Sequence, residues 1–272
     1  MNTLKQNNSV QLPLFDYVPT FELPRLTNKT ITVWFSCGVA SAVAAKKTIE
    51  LYGKNNKILV VNNPVKEEHE DNKRFLLDVQ EWLGVEILSA TNSKYPNCSA
   101  VEVWEKEKFM SSPHGAPCTA QLKKIARYQF EATHLSHYLV MGFTAEERLR
   151  HLRLMAEERD DLLPVLINLG LSKEDCFGIV MDAGIKLPYI YLLNFPNANC
   201  IGCPKSESPT YWNLVRQHFP EIYAARAKQS RKIGCKLVKV KGERIFLDEL
   251  SPETKGGKIK SWDCGIFCDV AE

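Results

Sequence analysis

From Thr30 onward, apolar positions fall into short continuous runs separated by longer stretches of helical period. Residues 31–35 form a short, β-rich apolar run, and residues 58–61, 85–88 and 138–142 repeat the pattern. They predict strands of the buried kind, which lack an apolar–polar alternation. Between them, residues 38–51 are rich in alanine, end at Gly53 and read as a helix. Residues 71–83 read as an amphipathic helix, with Phe75, Leu76, Val79 and Leu83 on one face. Helical stretches at 101–109 and 119–132 precede the last of these strands. Strands alternating with helices of this length predict an α/β fold, a parallel sheet with helices on both faces.

After Glu146 the pattern turns mostly helical. Ser172, followed three positions later by Asp175, marks the start of a helix over 173–183. Residues 211–233 read as one helical stretch, kinked at Pro220. Residues 236–240 and 244–247 flank Lys241-Gly242-Glu243 and predict a hairpin. The C-terminal part is therefore expected to be helical with a small hairpin. Residues 1–29, interrupted by Pro13, Pro19 and Pro24, show no period.

Length and charge add bounds. A chain of 272 residues has room for one α/β domain and a smaller appendage. Its 35 basic and 32 acidic residues leave a net charge of +3, too balanced to indicate nucleic-acid binding by itself. No apolar run approaches the roughly 18 residues of a membrane span, and the polar first residues hold no signal-peptide core. No membrane contact and a cytoplasmic location are expected.

Candidate chemistry lies first in Trp34-Phe35-Ser36-Cys37-Gly38-Val39-Ala40-Ser41, which joins the first strand to the first helix. Ser36 and Ser41 offer hydroxyls, Gly38 is expected to permit a tight turn, and the helix directs its free amides and positive dipole end at the same spot. The loop lacks the ending of a P-loop NTPase and the three-glycine dinucleotide pattern. The blander alternative is an ordinary strand-to-helix turn with small residues.

A second candidate is the cysteine content, nine in all. Cys176 and Cys235 sit alone and read as small buried hydrophobes. Cys200-Ile201-Gly202-Cys203 is a C-x-x-C, and Cys264-Gly265-Ile266-Phe267-Cys268 is a C-x-x-x-C. Two such pairs supply four thiolates, the number that zinc or a 4Fe–4S cluster takes. Spacing does not separate the two metals.

The pattern Ser36-x-Gly38-x-x-Ser41 resembles the pyrophosphate loop of the PAPS (phosphoadenosine phosphosulfate) reductase family, within the adenine nucleotide alpha hydrolase-like, PP-loop group. Three segments resemble that family in the same order. Asn62-Asn63-Pro64-Val65-Lys66-Glu67-Glu68-His69 is similar to its acidic loop beside the nucleotide. Ala116-Pro117-Cys118-Thr119-Ala120-Gln121-Leu122-Lys123-Lys124 resembles its Cys-Thr-x-x-Leu-Lys helix start. Met141-Gly142-Phe143-Thr144-Ala145-Glu146-Glu147-Arg148-Leu149-Arg150 resembles its strand-end loop. The resemblance covers residues 30–205 and implies a nucleotide-binding α/β domain over 30–195. An N-terminal extension (1–29) precedes it and a cysteine-rich helical and hairpin region (196–272) follows.

The site residues implied are Ser36, Cys37, Gly38, Ser41, Glu68, Lys123, Gly142 and Arg148 for an adenine nucleotide (PAPS, APS or ATP). Glu67, Lys124, Arg150 and Arg153 are more readily solvated charges. For the metal, the resemblance favours a 4Fe–4S cluster over zinc. It leaves two ligand sets open: Cys200, Cys203, Cys264 and Cys268, or Cys118 in place of Cys264, which is then free to act as the catalytic thiolate.

Departures from the family are Ala40 where many relatives carry an acid, Pro117 beside Cys118, Thr144 where arginine is common, and Phe267 where a histidine follows Cys-Gly. Three functions follow. The first is reduction of PAPS or APS to sulfite with a thioredoxin-like donor. The second is ATP-dependent thiolation of tRNA or DNA, and the third a catalytically silent nucleotide-binding module. Gln11-Leu12-Pro13-Leu14-Phe15 resembles a sliding-clamp docking peptide.

Overall fold

The computed structural model describes residues 22–112, 115–257 and 259. The peptide from Gln11 to Phe15 and the cysteines Cys264 and Cys268 lie outside the described residues. In chain order the elements are β1 (Thr30–Phe35), α1 (Val39–Tyr52), β2 (Lys57–Asn62), α2 (Asn72–Leu83), β3 (Ile87–Ser89) and α3 (Ala100–Glu107). A π-helical stretch (Thr119–Ile125) runs into α4 (Ala126–Glu131), followed by β4 (Tyr138–Val140), α5 (Arg148–Glu157) and β5 (Leu162–Leu163). Then come α6 (Val165–Asn168), α7 (Lys173–Asp182), α8 (Tyr189–Leu192), α9 (Pro209–His218), α10 (Pro220–Ile233) and the hairpin β6 (Val238–Val240) and β7 (Glu243–Ile245).

The five-stranded sheet runs β3-β2-β1-β4-β5 and is parallel throughout. Its centre, β1, is buried on both faces, which is why its sequence reads as an unbroken apolar run. Ile31, Val33 and Phe35 point to one side, where they pack with α1, with Phe75 and Val79 of α2 and with Cys176 and Val180 of α7. Trp34 points to the other, edge-on to Phe130 of α4 with ring centroids 5.8 Å apart, in a cluster that includes Leu154 of α5. The sheet is thus covered by helices on both faces. A third cluster joins Tyr95, Trp104 and Cys118 to Trp212 of α9, Tyr223 of α10 and Leu237 and Val238 at the hairpin.

Several predicted elements differ. The helix expected over 211–233 is two helices that pack on each other. A residue before proline is pushed out of the helical region, and Phe219 has φ −138°, ψ 61° between them. The stretch over 119–132 is π-helical for its first half. The third strand begins two residues later than expected, at Ile87. β5 was not predicted, since its two residues are too short to show a period. The helix after Ser172 begins where expected, with Ser172 and Asp175 capping each other reciprocally. Cys176 is fully buried, as its lone position implied, whereas Cys235 is only partly buried. No described helix is long and apolar enough to cross a membrane.

Candidate nucleotide site

β1 ends at Phe35 and delivers Ser36 to the carboxyl edge of the sheet, beside the N-terminus of α1. Ser41 Oγ donates to Gly38 O at 2.9 Å and accepts the Ser36 N–H at 3.0 Å. The Ser36 and Ser41 hydroxyls lie 3.1 Å apart, and with the Ser41 proton committed to Gly38, Ser36 is the donor between them. The first helical bond of α1 is Ala42 N–H to Gly38 O, 3.1 Å. The amides of Val39, Ala40 and Ser41 precede it and have no acceptor within the helix. Hydroxyls and amides together form an anion cradle at the positive end of a 14-residue helix.

The glycine expectation needs correcting. Gly38 has φ −105°, which any residue adopts. The left-handed residue of the loop is Cys37, φ +56°. Its thiol is buried in the core and accepts from Asn62 Nδ2 at 3.5 Å, while the same amide donates to Phe35 O at 2.8 Å. Burial pushes the Cys37 thiol far up, and the Glu68 charge adds to it. Cys37 therefore anchors the loop through the core and is not among the residues lining the cavity.

The glycine that close packing demands is Gly142, just beyond β4. A Cβ there would lie 2.7 Å from Ser41 N and 2.8 Å from Ser41 Cα. β1 and β4 are neighbours, so the loops leaving them bound a crevice, the place where parallel sheets of this kind bind ligands.

That crevice is a cavity of about 370 Å³, in the size range of a small-molecule site. Ser36, Gly38, Ser41, Lys123 and Gly142 line it. Glu68 and Arg148 do not. Glu68 sits behind the wall, where its carboxylate lies 3.7 Å from Lys123 Nζ and accepts from Asn72 at 3.1 Å. Burial raises its carboxyl above the usual range, with Lys123 opposing. Arg148 opens α5 and faces His151, which burial and that charge push down to about 4. Lys124 is bonded to Glu158 outside the cavity. Arg150 pairs with Glu147 at 2.8 Å and lies over the Phe143 ring. Thr144, in the place of the expected arginine, caps the turn over Ala145–Glu147.

Sequence reasoning missed other parts of the lining, among them Arg127, Lys173, Tyr191 and residues 197–199. Lys173 Nζ donates to Pro196 O at 2.8 Å and to Asn197 Oδ1 at 2.7 Å, fastening that segment to the start of α7. Glu146 and Glu174 also line the cavity, with the Glu146 carboxylate accepting the Lys173 N–H at 3.3 Å, although Ala40 leaves the loop itself without an acid. Glu67 is not a solvated charge. It caps α3, accepting from Ser99 Oγ and Ala100 N, each at 2.7 Å.

Cys200 follows the cavity wall at Asn199 directly, and a small adjoining cavity has Asn197, Asn199, Cys200 and Tyr211 in its lining. Cys200 and Cys203 are both buried. Tyr211 Oη accepts the Cys203 N–H at 2.9 Å and donates to Cys200 O at 3.3 Å, closing the turn. Gly202 takes φ +70° within it. The Ile201 N–H donates to Glu67 O at 2.9 Å. Arg226 presses on the turn with an Nε that has no hydrogen-bond acceptor. Two buried sulfur donors beside a guanidinium whose Nε lacks an acceptor fit one half of an anionic four-thiolate centre. Among the described residues no three His, Cys, Asp or Glu side chains converge on a metal position; Cys118 is buried in the same cluster as Cys200 and Cys203.

No family model matches the chain, and no curated protein matches it. Among solved structures it is similar to the U34-tRNA thiolase NcsA from Methanococcus maripaludis with its 4Fe–4S cluster. The identity is 14% over 78% of this chain and 75% of that one, with a TM-score of 0.40.

Proposed function

We propose that the protein binds ATP in the crevice between the Ser36–Ser41 loop and Gly142 and is an enzyme of nucleotide-dependent sulfur transfer to a nucleic-acid acceptor. One observation carries this reading. The anion cradle and the residues leading into Cys200 line a single cavity, so a bound nucleotide and the Cys200–Cys203 turn have a common wall at 197–199. The amides and hydroxyls at the start of α1 hold the phosphates, and Lys123, buried in the opposite wall, neutralises them as a point charge. Glu146 and Glu174 supply the carboxylates that a divalent cation on a triphosphate takes. This compensates for Ala40 and favours ATP over a sulfonucleotide, which needs no cation.

Cys200 and Cys203, with Cys264 and Cys268 or with Cys118 in place of Cys264, would hold the metal. An iron–sulfur cluster held by only three of these thiolates would keep one iron open to sulfur, whereas a cluster or zinc held by all four would make the knot structural. The chain's own part is to fix the Cys200–Cys203 turn through Tyr211 and Glu67, and to align the 196–199 segment through Lys173.

The test uses protein purified without oxygen. It is incubated with ATP, magnesium, mixed RNA or DNA and a sulfide donor, and separately with PAPS or APS and a thiol reductant. Pyrophosphate release that depends on the acceptor and is lost in Lys123→Met supports the proposal. Sulfite release from the sulfonucleotide would establish the reductase instead, with Cys264 as its thiolate. Nucleotide binding with neither product would leave a binding module.

A further inference from the structure

The least expected group outside the cavity is Arg226, on α10. Its side chain is buried, with the residue 4% exposed. Buried guanidinium groups are tolerated when an anion faces them, yet among the described residues no carboxylate lies within ion-pair distance of this one. Its Nη1 donates to Gln229 Oε1, and Gln229 is itself pinned by a 3.2 Å bond from its Nε2 to Val101 O. Its plane lies over the Trp104 ring, 4.6 Å from the centroid. Its Nε has no acceptor and points at the Cys200–Cys203 turn, where a Cβ on Gly202 would stand 3.4 Å from it. Burial works against its charge; Glu67 and, when ionised, Cys200 and Cys203 favour it. Glu67 is already spent on the amides of α3. A stacked, pinned and buried cation therefore sets its unpartnered N–H against the turn that carries the two sulfurs.

We propose that Arg226 is the buried counter-cation of a thiolate centre at Cys200 and Cys203, a positioning residue that balances the negative charge those sulfurs carry when they ligate a metal. This rests on the sulfur-centre part of the proposed function. The charge is matched with metal bound. With the metal stripped, Arg226 is a buried cation that has no carboxylate at ion-pair distance among the described residues, and its burial weakens the fold. Loss of the cation therefore acts with opposite sign on the two forms, which a purely structural arginine does not do.

The experiment compares wild type, Arg226→Met and Arg226→Lys, purified without oxygen and measured for iron, zinc and sulfide. Two further readouts are the rate of metal loss to a chelator and the urea midpoint of the metal-stripped chains. Arg226→Met is expected to lose metal about 10- to 100-fold faster, the usual cost of removing a supporting group around a metal site. Arg226→Lys, which keeps the charge, should stay close to wild type. Stripped Arg226→Met should be at least as stable as stripped wild type.

Wild-type retention in Arg226→Met, equal loss in both variants, or a stripped Arg226→Met less stable than its parent would overturn the assignment while leaving the sulfur centre standing. Metal-free wild type would overturn the centre and the assignment together, and ATP binding measured on the same samples keeps the nucleotide site separate from both. If Arg226→Met does not fold even with metal supplied, the lysine variant decides by its retention rate.

Discussion

Replacement of Gly142 by alanine puts a methyl group where there is no room for one. The added carbon would stand 2.7 Å from Ser41 N, about 0.7 Å short of the 3.4 Å at which ordinary contact begins, with Ser41 Cα at 2.8 Å and Ala40 C at 3.1 Å. All of these are backbone atoms in the first turn of α1, so no side chain can rotate aside. Either the β4 end or the cradle must move. Overpacking of this kind costs about 1–3 kcal/mol. For a chain of this size each kcal/mol lowers Tm by roughly 2–4 °C. The displaced amides and hydroxyls also lose bonds to a charged phosphate, each contributing about 1.5–3 kcal/mol, so nucleotide binding should weaken about 10- to 100-fold.

Gly38→Ala is the matched control. Its methyl meets only Tyr191 Oη at 3.5 Å and Ser36 Oγ at 3.7 Å, in a conformation open to any residue. Stability should hold, or rise by up to about 1 kcal/mol through the unfolded chain, while affinity falls because the methyl occupies the mouth of the cradle. Urea unfolding and titration calorimetry with ATP read both effects. A Gly142→Ala protein as stable as wild type would refute the close approach of β4 to α1. Full ATP affinity in Gly38→Ala would refute the cradle as the phosphate site.

Three other predictions follow from the same contacts. Lys123→Met should weaken ATP binding at least ~10-fold by removing the buried charge opposite the cradle, with calorimetry as the check. Lys173→Met removes two charge-assisted bonds to Pro196 and Asn197. Hydrogen exchange should then rise across residues 196–203 and leave α1 protected. His151 is held neutral with its pKa near 4 against an ordinary 6.5, so on acidification the unfolded chain takes up the proton first. Stability should therefore fall between pH 6.5 and 4 with a slope of up to ~1.4 kcal/mol per pH unit from this group and level off below. Urea midpoints across that range should show the slope reduced in His151→Gln.

The fold and the cradle were legible because both rest on local signals. A buried central strand writes an unbroken apolar run, and a tight strand-to-helix loop writes small residues and hydroxyls, as the bonded pair Ser36 and Ser41 shows. The capping of α7 was equally local. What escaped is what the tertiary structure decides. Lys173 reads as an ordinary first-turn lysine, and only the fold brings residues 196–197 to its ammonium. Glu67 looks like a loop carboxylate until α3 is placed above it. The need for glycine was assigned to Gly38, inside the motif, whereas the crowded position is Gly142, on another strand. Arg226 carries no sequence signal at all, because its meaning depends on the missing acid around it.

The strand order has a consequence for how the site can fail. The Ser36–Ser41 loop and Gly142 stand on adjacent strands, β1 and β4, although β2, β3 and their helices intervene in the chain. No shorter contiguous fragment contains both walls, and neither wall can be lost without unzipping the middle of the sheet. A nucleotide bound as proposed would therefore act as a clasp on the whole α/β unit. Its free energy, about 2.7 kcal/mol at a hundredfold excess over Kd, should appear as slower exchange in strands the ligand never touches.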